Sequence, residues 1–78
     1  MDDYMEKRFG YLRILTTDEK LNTIHELEEE NRYLEETIKD KRTSSEQRSE
    51  LYGDIAHNNG VIEYLKMILD EKQRWSYE

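Results

Sequence analysis

Residues 27–38, LEEENRYLEETI, decide the fold, because with the positions on either side of them they carry the repeat of a coiled coil. Apolar residues or asparagine recur at alternating spacings of three and four: Ile24, Leu27, Asn31, Leu34 and Ile38. Such spacing places all five side chains on one side of an α-helix, at the a and d positions of a heptad. The sequence therefore predicts a long helix that has a partner helix along this side.

The same stretch resembles a leucine zipper, with isoleucine at a, leucine at d and an asparagine at one a position. The resemblance covers about twelve residues, and no basic DNA-binding segment precedes them. It implies coiled-coil packing and has no implication for transcription.

Two capping signals divide the chain into helices. Thr16 is followed three residues later by Glu19, and Ser44 by Gln47, which are the partner positions of a capping box. The basic residues before Ser44 are typical of the end of a helix, where the helix dipole favours positive charge. We predict one helical domain over residues 1–78, with helices at about 3–14, 17–42 and 45–75.

Glycines mark the weakest points of these helices. Gly10 interrupts the first helix, where glycine costs about 1 kcal/mol relative to alanine. The string Asn58-Asn59-Gly60 inside the third helix is typical of a turn and could divide that helix in two. The heptad pattern continues through this string without a change of phase, which favours one continuous helix.

The third helix has a seam of its own, which matches the first seam when the chain folds back on itself. Its members are Leu51, Ile55, Asn58, Ile62, Leu65 and Leu69. An antiparallel turn between Ser44 and Ser45 sets each a position opposite a d position and places Asn31 opposite Asn58. The predicted fold is all-α: an antiparallel, coiled-coil-like helical hairpin with a short N-terminal helix.

Two alternatives to this arrangement stay open. A parallel zipper dimer would use the same seam, but it would set Glu30 against Glu35 of its twin, a like-charge pair. The amides of Asn31 and Asn58 are either a buried pair that fixes the register or two groups that water solvates separately.

A second apolar stripe on the third helix needs a further partner. It consists of Val61, Tyr64, Ile68 and Trp75. The first helix offers apolar residues at matching spacing, so either it folds across its own hairpin or two hairpins pair through these surfaces. Because 78 residues bury only a thin core, we expect a homodimer that completes a helical bundle, with Trp75 in core or dimer packing.

Residue patterns of catalytic and metal sites are missing from the sequence. It has no cysteine and no Gly-rich phosphate loop, and His25 has no second histidine at the spacing of a zinc-binding helix. We therefore predict a non-enzymatic protein without catalytic, cofactor-binding or metal-binding residues. No apolar run approaches the roughly 20 residues of a membrane span, and the first residues lack a secretory pattern, so we expect a cytoplasmic protein.

The net charge of −7 bears on the partners. Residues 18–42 hold nine acids and five bases, and residues 43–78 hold seven acids and four bases. Such helices repel nucleic acid and anionic membranes, so we expect neither as a direct partner. A partner attracted by charge would be basic.

Two functions fit these features. The first is an interaction module or regulator that binds one protein partner, with Tyr33 and Tyr52 as contacts and Trp75 and Tyr77 as further candidates. The alternative is an acidic inhibitor that mimics nucleic acid and blocks the basic channel of a DNA- or RNA-handling protein. Small acidic helical inhibitors made by bacterial viruses resemble this chain in size and composition. The carboxylates concerned are Glu26, Glu28, Glu29, Glu30, Glu35 and Glu36, which could equally be the solvated face of a coiled coil.

Overall fold

The structure, a computed structural model, describes residues 3–76, and it describes the surroundings of side chains from Tyr4 to Glu71. Its elements are α1 (Asp3–Phe9), a 3₁₀ helix (Gly10–Ile14), α2 (Thr17–Lys39) and α3 (Ser45–Ser76). About 90% of this part of the chain is helical, and no strand occurs in it. The all-α class predicted from the sequence is therefore confirmed.

Helices α2 and α3 pack against each other as a hairpin, which confirms the predicted chain reversal. The register is visible in one buried hydrogen bond, because the Asn58 side-chain amide donates to Asn31 Oδ1 at 3.0 Å. These are the two asparagines that the seam alignment places opposite each other.

Both predicted capping boxes are present and fix the first residues of the long helices. Thr16 Oγ1 accepts from the backbone N–H of Glu19 at 3.1 Å, and the Glu19 carboxylate accepts from the Thr16 N–H at 2.8 Å. Ser44 and Gln47 exchange the same two bonds at 3.2 and 3.0 Å. Each box satisfies two backbone N–H groups that a helix start would otherwise leave to water.

The predicted end of the middle helix was wrong, because α2 ends at Lys39 and not at residue 42. Asp40 is already extended, with ψ of 128°, and its Oδ1 accepts from the Arg42 backbone N–H at 2.9 Å. The Thr43 hydroxyl donates to the Thr37 carbonyl at 2.7 Å. These side chains form hydrogen bonds with backbone groups that a longer helix would have used, so the chain reverses direction here and the helix does not continue.

The first helical segment has the predicted extent, about 3–14, but it is not one continuous α-helix. The α-helix ends at Phe9, and Gly10–Ile14 form a 3₁₀ helix, in which residues three apart lie on the same side. Leu12 and Leu15 point into the core, whereas Tyr11 and Ile14 are exposed. The change of helix type falls at the glycine that the sequence marked as weak.

Helix α3 runs without a break through Asn58-Asn59-Gly60, as the heptad phase predicted. The turn-like string has a different role here. A methyl group added at Gly60 would lie 3.2 Å from Cζ of the Phe9 ring. Gly60 therefore allows the first helix to approach α3 closely, and no turn is needed to explain the glycine.

The core is concentrated where the first helix crosses the hairpin. Its buried apolar residues are Phe9, Leu12, Ile24, Val61, Ile62, Tyr64, Leu65 and Ile68. Tyr64 is fully buried, with its ring centroid 5.9 Å from that of Phe9. The second stripe of α3 is thus covered by the first helix of the same chain, which was one of the two alternatives. The side chain of Trp75 lies outside the described residues.

Other predicted seam positions are less enclosed. Leu34 is buried with the asparagine pair, and the half-buried members of the seam are Leu27, Ile38, Leu51, Ile55 and Leu69. Of these, Leu27 and Leu69 pack against the core near the first helix, whereas Ile38, Leu51 and Ile55 lie nearer the turn.

Candidate protein-interaction site

The described side chains form no arrangement suited to metal chemistry. Between Tyr4 and Glu71, no three His, Cys, Asp or Glu side chains converge in a way that could hold an ion. None of the helices over residues 3–76 is long and apolar enough to cross a membrane. The described helices carry exposed charged and aromatic surfaces.

The acidic side of α2 is the solvent-facing surface that carries the six predicted glutamates. All six are exposed: Glu26, Glu28, Glu29, Glu30, Glu35 and Glu36. At about 100° per residue, they fall into three pairs, two flanking the seam and one on the outer side of the helix. The carboxylates therefore surround the whole solvent side of α2 and do not form a single stripe.

Only part of this negative charge is balanced by neighbouring residues. Glu28 lies 3.7 Å from the Lys66 ammonium group, and Glu29 lies 3.2 Å from Nε2 of His25, which balances charge only when the imidazole is protonated. Both pairs are exposed, and such pairs contribute at most about 1 kcal/mol. Within the described part of the chain, no ion pair involves the other four: Glu26, Glu30, Glu35 and Glu36. The surface therefore keeps most of its attraction for a positively charged partner.

Tyr33 lies within this acidic side and is 68% exposed. It is three or four residues from Glu29, Glu30 and Glu36, so these side chains are its neighbours on the helix surface. An aromatic face beside carboxylates suits a lysine or arginine side chain, which the ring attracts by cation–π interaction and the carboxylates attract by charge.

Tyr52, the other predicted aromatic contact, is also exposed but belongs to a different surface. It lies seven residues before Asn59, which bonds to Asn31, and fourteen before Lys66, which pairs with Glu28. Tyr52 therefore follows the flank of the hairpin that contains Glu28, whereas Tyr33 lies on the opposite side of α2. The structure does not bring the two tyrosines together.

Asn31 holds the helix that carries Tyr33 in place. It accepts from Asn58 at 3.0 Å and donates to Oδ1 of Asn59 at 2.9 Å, so three amides form one connected group. Sequence reasoning found the first contact from the heptad alignment but missed Asn59. The adjacent asparagine in the sequence was a signal that could have suggested the second bond.

A polar cluster fastens the first helix to α3, and we name it the clasp: Glu6, Arg13, Tyr64 and Glu71. Arg13 donates to Glu6 through Nε at 3.2 Å and lies 3.4 Å from the Glu71 carboxylate. The Tyr64 hydroxyl donates to Glu6 at 3.0 Å. Sequence reasoning missed the clasp, since the spacing from Glu6 to Arg13 crosses a change of helix type and the α3 members are far away in sequence.

The clasp changes the acidity of its members. The hydrogen bond from Arg13, aided by that from Tyr64, holds the pKa of Glu6 below its usual value of 4.5. Burial, together with the hydrogen bond to Glu6, raises the pKa of Tyr64 above 10.0. Glu6 is therefore a carboxylate throughout the neutral range, and its charge is already neutralised within the chain.

The outer side of the first helix carries an apolar surface, the outer ridge, formed by Tyr4, Tyr11 and Ile14. These residues are 60%, 65% and 87% exposed. Lys7 and Arg8 are exposed on the same segment. The Arg8 guanidinium lies over the rings of Tyr4 and Phe9, at 5.9 and 5.2 Å from their centroids.

Comparison of the chain with protein-family models, with curated proteins and with solved structures gave no match. Function is therefore inferred from the surfaces described above.

Proposed function

We propose that this protein is a non-enzymatic interaction module that binds a basic segment of a protein partner on the acidic side of α2, with Tyr33 at the centre of the contact. The observation that carries the proposal is the exposure of Tyr33, 68%, among glutamates of which several have no ion-pair partner in the described chain. The cytoplasmic location expected from the sequence stays a prediction.

The Tyr33 ring and the glutamate carboxylates contribute differently to binding, because their interaction energies differ. An exposed ion pair contributes at most about 1 kcal/mol, so carboxylates alone would hold a partner weakly. A tyrosine that becomes buried in a contact supplies apolar area and ranks among the common binding hot spots. The glutamates accelerate association and select basic partners, and Tyr33 anchors the partner once it is bound.

The hairpin supports this role because it presents α2 as a preformed surface. We infer that the hairpin packs as an antiparallel coiled coil, with the a and d positions of its two seams in contact. Asn31, two residues before Tyr33, is bonded to two residues of α3. A partner would then bind without having to order the helix, which removes one cost of association.

The test is affinity capture from cell lysate with the tagged chain and two matched variants. Tyr33→Ala should lose the captured protein, whereas Tyr52→Ala, an exposed tyrosine on the other flank, should keep it. Changing Glu29, Glu30 and Glu36 together to glutamine should also lose it, because these are the neighbours of Tyr33. Capture that survives both changes on the acidic side would contradict the proposal.

A second candidate function is an acidic mimic of nucleic acid, favoured by the density of charge on α2. Six carboxylates between residues 26 and 36 extend over about 15 Å of helix, or one per about 2.5 Å, against one charge per about 1.7 Å in duplex DNA. Here duplex DNA should elute the captured protein, and salt should weaken binding steeply. Changing Glu28, Glu29, Glu35 and Glu36 to glutamine should abolish it, whereas Tyr33→Ala should not.

A further inference from the structure

At the outer ridge, Tyr11 and Ile14 are exposed and stay outside the core, and Tyr4 beside them is held by a hydrogen bond from Arg8. Leu12 of the 3₁₀ helix is buried in the core, and Leu15, which follows the helix, packs against the same core. Tyr11 and Ile14 face water, and Ile14 is 87% exposed. Large apolar side chains grouped on one surface mark a contact with another molecule.

The segment that carries the outer ridge is far less acidic than α2. Residues 3–14 hold two acids, Asp3 and Glu6, and three bases, Lys7, Arg8 and Arg13, and Arg13 is shared between Glu6 and Glu71 of the clasp. Lys7 and Arg8 remain beside the ridge. In contrast, α2 contains eight acids and three bases. The ridge is thus aromatic and basic, and the acidic side of α2 is aromatic and acidic.

We propose that the outer ridge of one copy of this chain binds the acidic side of α2 of a second copy. This rests on the proposed function and names a partner for that site, since the chain itself carries a basic aromatic segment. The lengths agree: the ridge extends over about 17 Å, from α-helical and 3₁₀ rises, and the acidic side over about 15 Å. Tyr33 would meet Tyr4 and Tyr11, and the glutamates would meet Lys7 and Arg8.

Charge favours this head-to-tail contact over a symmetric one. A ridge-to-ridge contact would set Lys7 and Arg8 against their own copies, and two acidic sides would repel each other more strongly. A head-to-tail contact uses a different surface on each copy, so a free ridge and a free acidic side remain after two chains have joined. Wild-type protein should therefore form assemblies larger than dimers as its concentration rises.

Sedimentation velocity with complementary variants tests the contact. The ridge variant carries Lys7→Glu and Ile14→Glu, and the acid-side variant carries Tyr33→Ala and Glu29→Lys, all at exposed positions. Each variant alone should be a monomer. An equimolar mixture should form a one-to-one heterodimer, because each variant keeps the surface that the other lacks. Glu63→Lys, exposed on α3, is the matched control and should assemble like wild type.

The salt dependence of the assembly and its binding to lipid vesicles are two further measurements. Raising NaCl from 50 to 500 mM should weaken the assembly by about tenfold or more, because exposed charges are screened. An acid-side variant that still dimerises alone would show a symmetric ridge contact and overturn the proposal. Wild type that stays monomeric at all concentrations would also overturn it, including the case in which that monomer binds phosphatidylserine vesicles through the ridge.

The two proposals can fail separately. If wild type is monomeric but Tyr33→Ala still loses the partner captured from lysate, the acidic side binds a different protein and only the self-contact is wrong. If the mixture of variants forms the heterodimer while capture ignores Tyr33, the ridge of a second copy is the ligand of the acidic side, and the separate partner is wrong.

Discussion

The close contact between Phe9 and Gly60 makes the two interior glycines of α3 a matched pair for mutation. Glycine within a helix costs about 0.8–1 kcal/mol relative to alanine. A methyl group at Gly53 would meet no atom within 4 Å. Gly53→Ala should therefore raise the free energy of unfolding by about 1 kcal/mol, the full gain in helix propensity.

Gly60→Ala should lose that gain, because its methyl group would lie 3.2 and 3.5 Å from two carbon atoms of the Phe9 ring. The ring has little room to move, since Phe9 is only 3% exposed and packs against both Tyr64 and His57. Overpacking of a buried site costs typically about 1–3 kcal/mol. Subtracting this from the gain in propensity leaves a net change between about zero and a loss of 2 kcal/mol.

Thermal and urea unfolding measure both variants. In a domain of this size, 1 kcal/mol shifts the Tm by about 4–8 °C. Gly53→Ala should raise the Tm by an amount in that range, and Gly60→Ala should leave it unchanged or lower it. The helix content by circular dichroism should be the same in all three proteins, so that the difference reports packing and not a change of fold.

A mutant cycle with Phe9→Ala decides whether Phe9 is the cause. Without the ring, the methyl group at Gly60 has room, so Gly60→Ala in the Phe9→Ala background should give the same stabilisation as Gly53→Ala gives in the wild type. If Gly60→Ala already stabilises the wild type by about 1 kcal/mol, the ring of Phe9 does not lie on Gly60 and the placement of the first helix is refuted.

The remaining predictions concern the polar contacts. Asn31→Leu should lower the free energy of unfolding by about 1–3 kcal/mol, because it leaves the buried Asn58 amide without its acceptor. Adding Asn58→Leu should recover stability in urea unfolding. A double mutant that is no more stable than the single mutant would refute the pairing. Thr16→Ala should cost about 1 kcal/mol by removing a helix cap, and an unchanged Tm would contradict the capping box. Because the pKa of Glu6 is lowered in the folded state, its stabilising contribution is present above about pH 4.5 and is lost as the pH falls through the folded pKa. Glu6→Gln should therefore lose less stability than wild type as the pH falls. Identical profiles of unfolding free energy against pH for the two proteins would count against the bond from Arg13.

The hairpin could be predicted from the sequence because several local signals agreed. The capping residues Thr16 and Ser44 fixed where the long helices begin, and the alignment of Asn31 with Asn58 gave the register. The end of α2 could not be predicted in the same way. Basic residues near position 40 suit a helix end and a turn equally, and the contacts that decide, such as Thr43 to Thr37, exist only once the turn has formed.

The first segment was harder to predict because its geometry depends on a long-range contact. Gly10 was recognised as a weak point, but the change to a 3₁₀ helix is what separates the inward row of Leu12 from the outward row of Ile14. Gly60 was interpreted as a possible turn residue, since only the folded chain brings Phe9 over it. The sequence pattern of one helix does not show which other segment packs across it.

Exposure of the glutamates followed from the heptad pattern, whereas that pattern did not show whether Tyr33 and Tyr52 lie on one surface. Both tyrosines are off the seam, and the seam alone does not say on which flank each lies. The contacts of Asn59 and Lys66 with α2 resolve this, because they define the flank that Tyr52 follows. A binding experiment can therefore use Tyr52 as an internal control for Tyr33.

In helix α2, the residues that stabilise the fold and the residues proposed to bind a partner lie on different sides of the helix. Its inner side is occupied by Ile24, Asn31 and Leu34, all buried, and these residues set the packing and the register. Its outer side, centred on Tyr33, makes no buried contact. Surface substitutions away from such features change stability by at most about 0.5 kcal/mol. Changes at Tyr33 and its neighbouring glutamates should therefore alter binding in a chain that unfolds like wild type, so a loss of partner can be assigned to the surface itself.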